Sequence, residues 1–124
     1  MRGLGELESA VMDLLWSSAD PLRVRDVLAG LSTRRPLAYT TVMTVLDNLH
    51  RKSWVHRELV GKAYHYTSAL SREEAAARAL REVLHESGDP DAALLHFARS
   101  ASAHESRLLR QALRIDDTGE RPRR

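Results

Sequence analysis

A chain of 124 residues without a cysteine is one domain, or one domain with an oligomerisation arm, and has no disulfide, thiolate metal site or cysteine nucleophile. Charged residues at 29% and hydrophobic ones at 43% are those of an ordinary globular protein, long enough to bury a core without staples. The net charge of +2 does not by itself name a polyanionic partner. No apolar run approaches the ~20 residues that span a bilayer, and Met1-Arg2-Gly3-Leu4 starts no signal peptide, so a cytoplasmic protein without membrane insertion is expected.

The segment from about Leu4 to Ser17 reads as an amphipathic helix, with Leu4, Leu7, Val11, Leu14 and Leu15 on one face. Asp20-Pro21 offers an N-cap and a residue suited to the first helical position, which predicts a short second helix over Leu22 to Leu31. Ser32-Thr33-Arg34-Arg35-Pro36 is a polar break that ends in a helix-disfavouring residue.

A third helix is predicted from about Thr40 to Lys52. Val42, Val45, Leu46 and Leu49 make its apolar stripe, and Thr41, Thr44, Asn48 and Arg51 line up on the opposite side. That outward face has hydroxyls, an amide and a guanidinium, where an ordinary solvent-facing helix would show Glu–Lys pairs. The period then changes from 3.6 to 2: Trp54 to Leu59 and Ala63 to Thr67 read as strands joined through Val60-Gly61-Lys62, a hairpin signal. Three short helices followed by a hairpin predict a winged helix-turn-helix at residues 1–70, mainly α with a small β wing.

Past Leu70 the pattern is helical again. Ser71-Arg72-Glu73-Glu74 is a capping box that opens a helix to about Ser87. Gly88 ends it, Asp89-Pro90 starts the next, and Ser102-Ala103-His104-Glu105 is a second capping box. Helices this short bury little on their own. Leu80, Val83, Leu84, Leu94, Leu95, Phe97, Leu108, Leu109 and Leu113 are therefore expected to form a helical dimerisation arm, residues 71–115, in which two copies share one core. The polar stretch 116–124 is predicted to be a disordered tail.

Charge is concentrated where the helix-turn-helix is predicted. Residues 34–62 hold Arg34, Arg35, Arg51, Lys52, Arg57 and Lys62 against Asp47 and Glu58. Hydroxyl and amide side chains suit base edges in a major groove, and threonine methyls suit thymine. Thr40, Thr41, Thr44 and Asn48 are thus candidates for base contact, with Arg51 and Lys52 at the helix end, Arg57 on the first strand and Lys62 at the wing tip for phosphates. Asp47 should face away from the DNA backbone. The alternative for the same fold is a winged-helix module for protein–protein contact.

Six histidines raise the question of a metal. His50, His56 and His65 could meet around the hairpin, and His85, His96 and His104 lie on the arm, but no H-E-x-x-H spacing occurs. Ordinary polar histidines and no metal are expected. Without a nucleophile elbow, a P-loop or a dinucleotide fingerprint, neither an enzyme nor a cofactor is expected.

Leu14-Leu15-Trp16, the run Tyr39-Thr40-Thr41-Val42-Met43-Thr44-Val45-Leu46-Asp47-Asn48-Leu49 and the wing Gly61-Lys62-Ala63-Tyr64-His65-Tyr66 resemble the penicillinase repressors of the BlaI/MecI type. The likeness continues through Ala93-Leu94-Leu95-His96-Phe97-Ala98. The resemblance implies a homodimeric repressor on a palindromic operator ahead of β-lactamase-type genes. It also implies release when a membrane-bound sensor metalloprotease leads to cleavage within the arm. His96-Phe97 matches the family's Asn-Phe cleavage point in its second residue, and Ser53 stands where relatives often have glycine. The copper-responsive branch reads metal through a cysteine-rich tail, which this chain lacks.

Overall fold

The computed structural model describes residues 1–31 and 36–114, in the order α1 (Glu6–Ser17), α2 (Val24–Leu31), α3 (Tyr39–Arg51), β1 (Val55–Val60), β2 (Ala63–Ser68), α4 (Arg72–Glu86), α5 (Pro90–Arg99) and α6 (Ala103–Ala112). The break at 32–35, with Arg34 and Arg35, and the tail 116–124 lie outside the described residues. The chain divides into two compact units, Met1–Leu80 and the remainder from Arg81.

The core of the first unit is the meeting of the apolar stripes of α1, α2 and α3 with one face of the hairpin. Val11, Met12 and Leu15 of α1, Val24 and Val27 of α2, Val42, Leu46 and Leu49 of α3, Val55 and Tyr66 are its buried members. A fully buried aliphatic side chain contributes roughly 1.5–3 kcal/mol, so these stripes, and not the propensity of three short helices, hold the unit together.

The second helix begins later than the sequence predicts. Leu22 is in an isolated antiparallel bridge with Tyr66: the Leu22 N–H donates to Tyr66 O at 2.9 Å, and the Tyr66 N–H donates to Leu22 O at 2.8 Å. A residue spent on this pairing cannot start a helix, so Asp20 does not cap α2. Its first turn is held by Asp26 instead, whose carboxylate accepts from the Arg23 backbone N–H at 2.9 Å and from the Arg23 guanidinium at 3.0 and 3.1 Å. The bridge ties the segment before α2 to the wing.

The strands pair antiparallel from Val55↔Ser68 to Val60↔Ala63. Val60 belongs to the ladder, which leaves Gly61-Lys62 as a two-residue loop, shorter than the three-residue connection expected. Gly61 has φ 65 and Lys62 has no positive φ, the pattern of a type II′ hairpin turn.

α3 ends in a Schellman motif. The Ser53 N–H donates to His50 O at 3.0 Å, the Trp54 N–H donates to Leu49 O at 2.9 Å, and Ser53 is in the left-handed region at φ 66. The turn into the hairpin therefore does place a Cβ where glycine is the easier residue. At the far end of the unit, the Trp16 indole N–H donates to Leu70 O at 2.8 Å. The Arg72 guanidinium lies 4.9 Å from the Trp16 ring centre and 3.0 Å from Asp13 Oδ1, which holds the first turn of α4 against α1.

The arm helices start as their caps dictate. Ser71 and Glu74 exchange backbone bonds at 3.0 and 3.2 Å, Asp89 accepts from the Ala92 N–H at 3.1 Å, and Ser102 and Glu105 repeat the reciprocal box at 3.1 and 2.8 Å. Neither α5 nor α6 has a buried residue. On α6, Leu108, Leu109 and Ala112 share one side, continued by the C-cap Leu113, and Arg107 and Arg110 lie on the other.

Candidate nucleic-acid interface

Packing of Val42, Leu46 and Leu49 into the core fixes which side of α3 is free. The free side carries Thr40, Thr44 and Arg51 near its centre, flanked by Thr41 and by half-buried Asn48. The Thr44 hydroxyl donates back to Thr40 O at 2.9 Å, a bond within the helix that leaves its methyl and lone pairs outward. The Arg51 guanidinium donates to the Asn48 side-chain oxygen. Base-reading candidates and one phosphate candidate are thus on one exposed surface, with the exposed carboxylate of Asp47 on its wing side.

The edge of α3 that faces the wing is built differently. Tyr39, Met43 and Asp47, spaced i, i+4, i+8, border a cleft of about 600 Å³ whose other walls are Arg23, Val24 and Arg25 at the start of α2 and Arg57, Lys62, Ala63, Tyr64 and Tyr66 of the hairpin. Asp47 points toward the wing, where its Oδ1 lies 3.0 Å from Arg57 Nη1. The Arg57 guanidinium also stacks 4.3 Å from the centre of the Tyr64 ring. Tyr66, paired with Arg57 across the ladder, adds its hydroxyl beside the guanidinium and raises the already high Arg57 pKa.

Each phosphate candidate therefore has a distinct setting. Lys62 is exposed at the hairpin tip, and Arg51 is exposed at the end of α3. Lys52 caps α3 but sends its ammonium to Glu8 of α1, at 2.8 and 3.0 Å from the two carboxylate oxygens. Arg57 is engaged by Asp47 and Tyr64. Arg25, Tyr39 and Met43 line the same cleft without standing out in the sequence as site residues. Their signal is faint: Arg25 stands among alternating residues of a short helix, and Tyr39 and Met43 read as spare apolar positions beside the core stripe.

Among the described residues no group of three or more His, Asp or Glu side chains converges on a point that could hold a metal ion, so His50, His56 and His65 do not come together. No described helix is long and apolar enough to cross a membrane.

Three helices, a bridged segment before α2 and a β wing beside a polar third helix define a winged helix-turn-helix protein of the DNA-binding type. The pattern of the penicillinase repressor family matches residues 4–115, nearly the whole chain. The chain belongs to that family of DNA-binding transcription regulators. It is 45% identical over 113 residues to the transcriptional regulator BlaI of Mycobacterium tuberculosis, from strains CDC 1551 / Oshkosh and ATCC 25618 / H37Rv alike, covering 89% of this chain and 82% of that protein. Among solved structures it resembles MepR, a transcription regulator of the Staphylococcus aureus multidrug efflux pump MepA. The TM-score is 0.50 and the identity 16%, over 90% of this chain and 76% of that one, a likeness of fold alone.

Proposed function

We propose that the protein is a homodimeric, sequence-specific repressor that places one α3 in the major groove of each half of a palindromic operator. The observation that supports this most is the free face of α3, with Thr40, Thr41 and Thr44 presented to base edges and Arg51 and the wing's Lys62 at its margins for phosphates. Family membership supports a target among β-lactamase-type genes.

The dimer reading rests on the arm. Leu80 is 62% exposed, Leu95 55%, Phe97 53% and Leu113 58%. With α5 and α6 wholly without buried residues, a second copy is the simplest source of a core. Dimerisation raises affinity because the second half-site binds at high effective concentration. Cleavage at His96–Phe97 would then release the repressor by dividing the arm. That bond lies in the last turns of α5, where Ser100 donates its N–H to the carbonyls of both residues at 3.2 and 3.1 Å, so the turn must fray before a protease, delivered through a membrane-bound sensor, could act.

Footprinting across the promoters of the protein's own gene and its neighbours tests the reading. Two protected half-sites are expected, related by a dyad and about 34 Å apart, or a multiple of it. Protection of a single unpaired site, or none, would count against the symmetric dimer. Mass spectrometry of the chain from β-lactam-exposed cells should find a fragment that ends at His96 if release is proteolytic.

A further inference from the structure

Asp47 is the one acidic residue of α3, and it stands on the helix that the functional reading gives to DNA. Left alone, a carboxylate there would oppose a polyanion, and simple electrostatics would have its removal strengthen binding. The structure gives it a partner. Arg57, from the middle of β1, reaches across the cleft to Asp47 at 3.0 Å, with its guanidinium carbon over the Tyr64 ring, 4.3 Å from its centre. Tyr64 in turn lies 6.3 Å from Tyr66, whose own backbone is bridged to Leu22. The guanidinium is thus held on several sides: an acid from α3, an aromatic face from β2, and the Tyr66 hydroxyl.

A phosphate-binding arginine needs its guanidinium free, and this one gives Nη1 to Asp47 and lies over the Tyr64 ring. The other cations around the cleft are arranged differently. Arg23 is chelated by Asp26, whereas Arg25 and Lys62 are exposed on opposite walls. Between α3 and the wing the backbone turns only at Lys52, Ser53 and Trp54. The Asp47–Arg57 pair therefore spans the gap well away from that turn, where it resists any swing of the hairpin relative to the helix.

We propose that Arg57 is a positioning residue: its ion pair with Asp47 sets the angle of the wing to α3, so that Thr44 and Lys62 meet groove and backbone in one register. The role rests on the DNA-binding reading. It makes Asp47 favourable to operator binding in spite of its charge.

The test uses the full chain with Asp47→Asn, Asp47→Glu, Arg57→Gln and the Asp47→Asn/Arg57→Gln pair. Affinity for operator and for random duplex is measured over a range of salt, with thermal unfolding to confirm that each variant is folded. Asp47→Asn is expected to lose about tenfold in operator affinity and to narrow the operator-over-random ratio, and Asp47→Glu, which keeps an acid for Arg57, to recover most of both. Arg57→Gln should lose a similar factor at an unchanged salt slope, and the double variant should be no worse than either single one, as for two ends of one strut. Asp47→Asn binding as well as the wild type or better would overturn the proposal. So would a salt slope flattened by about one unit in Arg57→Gln, the mark of a lost phosphate contact. If the wild type bound no duplex at all, the DNA reading itself would fall, and the role with it.

Discussion

Lys52, the residue that closes α3, places its ammonium 2.8 Å from the Glu8 carboxylate in the first turn of α1. Glu8 also accepts from the Gly5 backbone N–H at 2.9 Å, so one side chain caps α1 and ties it to the end of α3. Burial pushes the Glu8 carboxyl up, but the Gly5 and Lys52 hydrogen bonds outweigh it, and its pKa lies below the ordinary glutamate range. A carboxyl depressed in the folded state adds stability that is present above its unfolded value, about 4.3, and is lost as pH falls through the folded one. Glu8→Gln should therefore cost no more than about 1 kcal/mol at neutral pH, and the gap between variant and wild type should close on acidification. Urea titrations at pH 7 and pH 3 check this; an equal gap at both would show that the ion pair contributes nothing.

Ser53 occupies the left-handed position that closes the Schellman motif between α3 and β1. A residue with a Cβ is strained there by roughly 1–2 kcal/mol, although part of that is offset by the freedom glycine loses on folding. Ser53→Gly should raise stability by about 1 kcal/mol, read as a higher denaturation midpoint at unchanged slope. A destabilised variant would mean that the hydroxyl has a role that the backbone angle hides.

Thr44 and Lys62 should respond differently to replacement. If Thr44 meets bases as proposed, Thr44→Ala is expected to cost about 1–3 kcal/mol on the operator and little on random DNA. Lys62→Ala should weaken all duplexes alike and flatten the salt slope by about one unit. Competition assays at several salt concentrations separate the two; the reverse pattern would invert the roles.

The exposed leucines of the arm give a test of assembly. Leu94 and Phe97 lie on one side of α5 and are exposed in the single chain, so Leu94→Glu with Phe97→Glu should leave the winged helix intact. Sedimentation should show a monomer, and operator affinity should fall by orders of magnitude with the loss of the paired half-site. A double variant that stayed dimeric would place the shared core elsewhere.

What could be read from the sequence was what is local in it. The boxes Ser71–Glu74 and Ser102–Glu105, the Asp89 cap and the buried stripe of α3 depend on spacings of three or four residues and appear as expected. The free face of α3, by contrast, is centred on Thr40, Thr44 and Arg51, with Thr41 and half-buried Asn48 at its flanks. α2 starts at Val24 and not at Leu22 because Leu22 is claimed by Tyr66, forty-four positions away in the chain, a pairing that no local pattern announces. The same is true of Lys52 with Glu8 and Arg57 with Asp47. The sequence offers Arg51, Lys52, Arg57 and Lys62 to phosphates, while folding brings an acid to Lys52 and to Arg57. The cleft that joins Arg25 and Tyr39 to the wing exists only once three elements have met.

Operator binding over a range of salt, against random competitor duplex, bears most directly on the central claim. The account predicts that a duplex from the protein's own promoter is bound as a dimer, far more tightly than random sequence, with log affinity falling linearly and steeply as log salt rises. Absence of binding to any such duplex at low salt, or equal affinity for operator and random DNA, would contradict it.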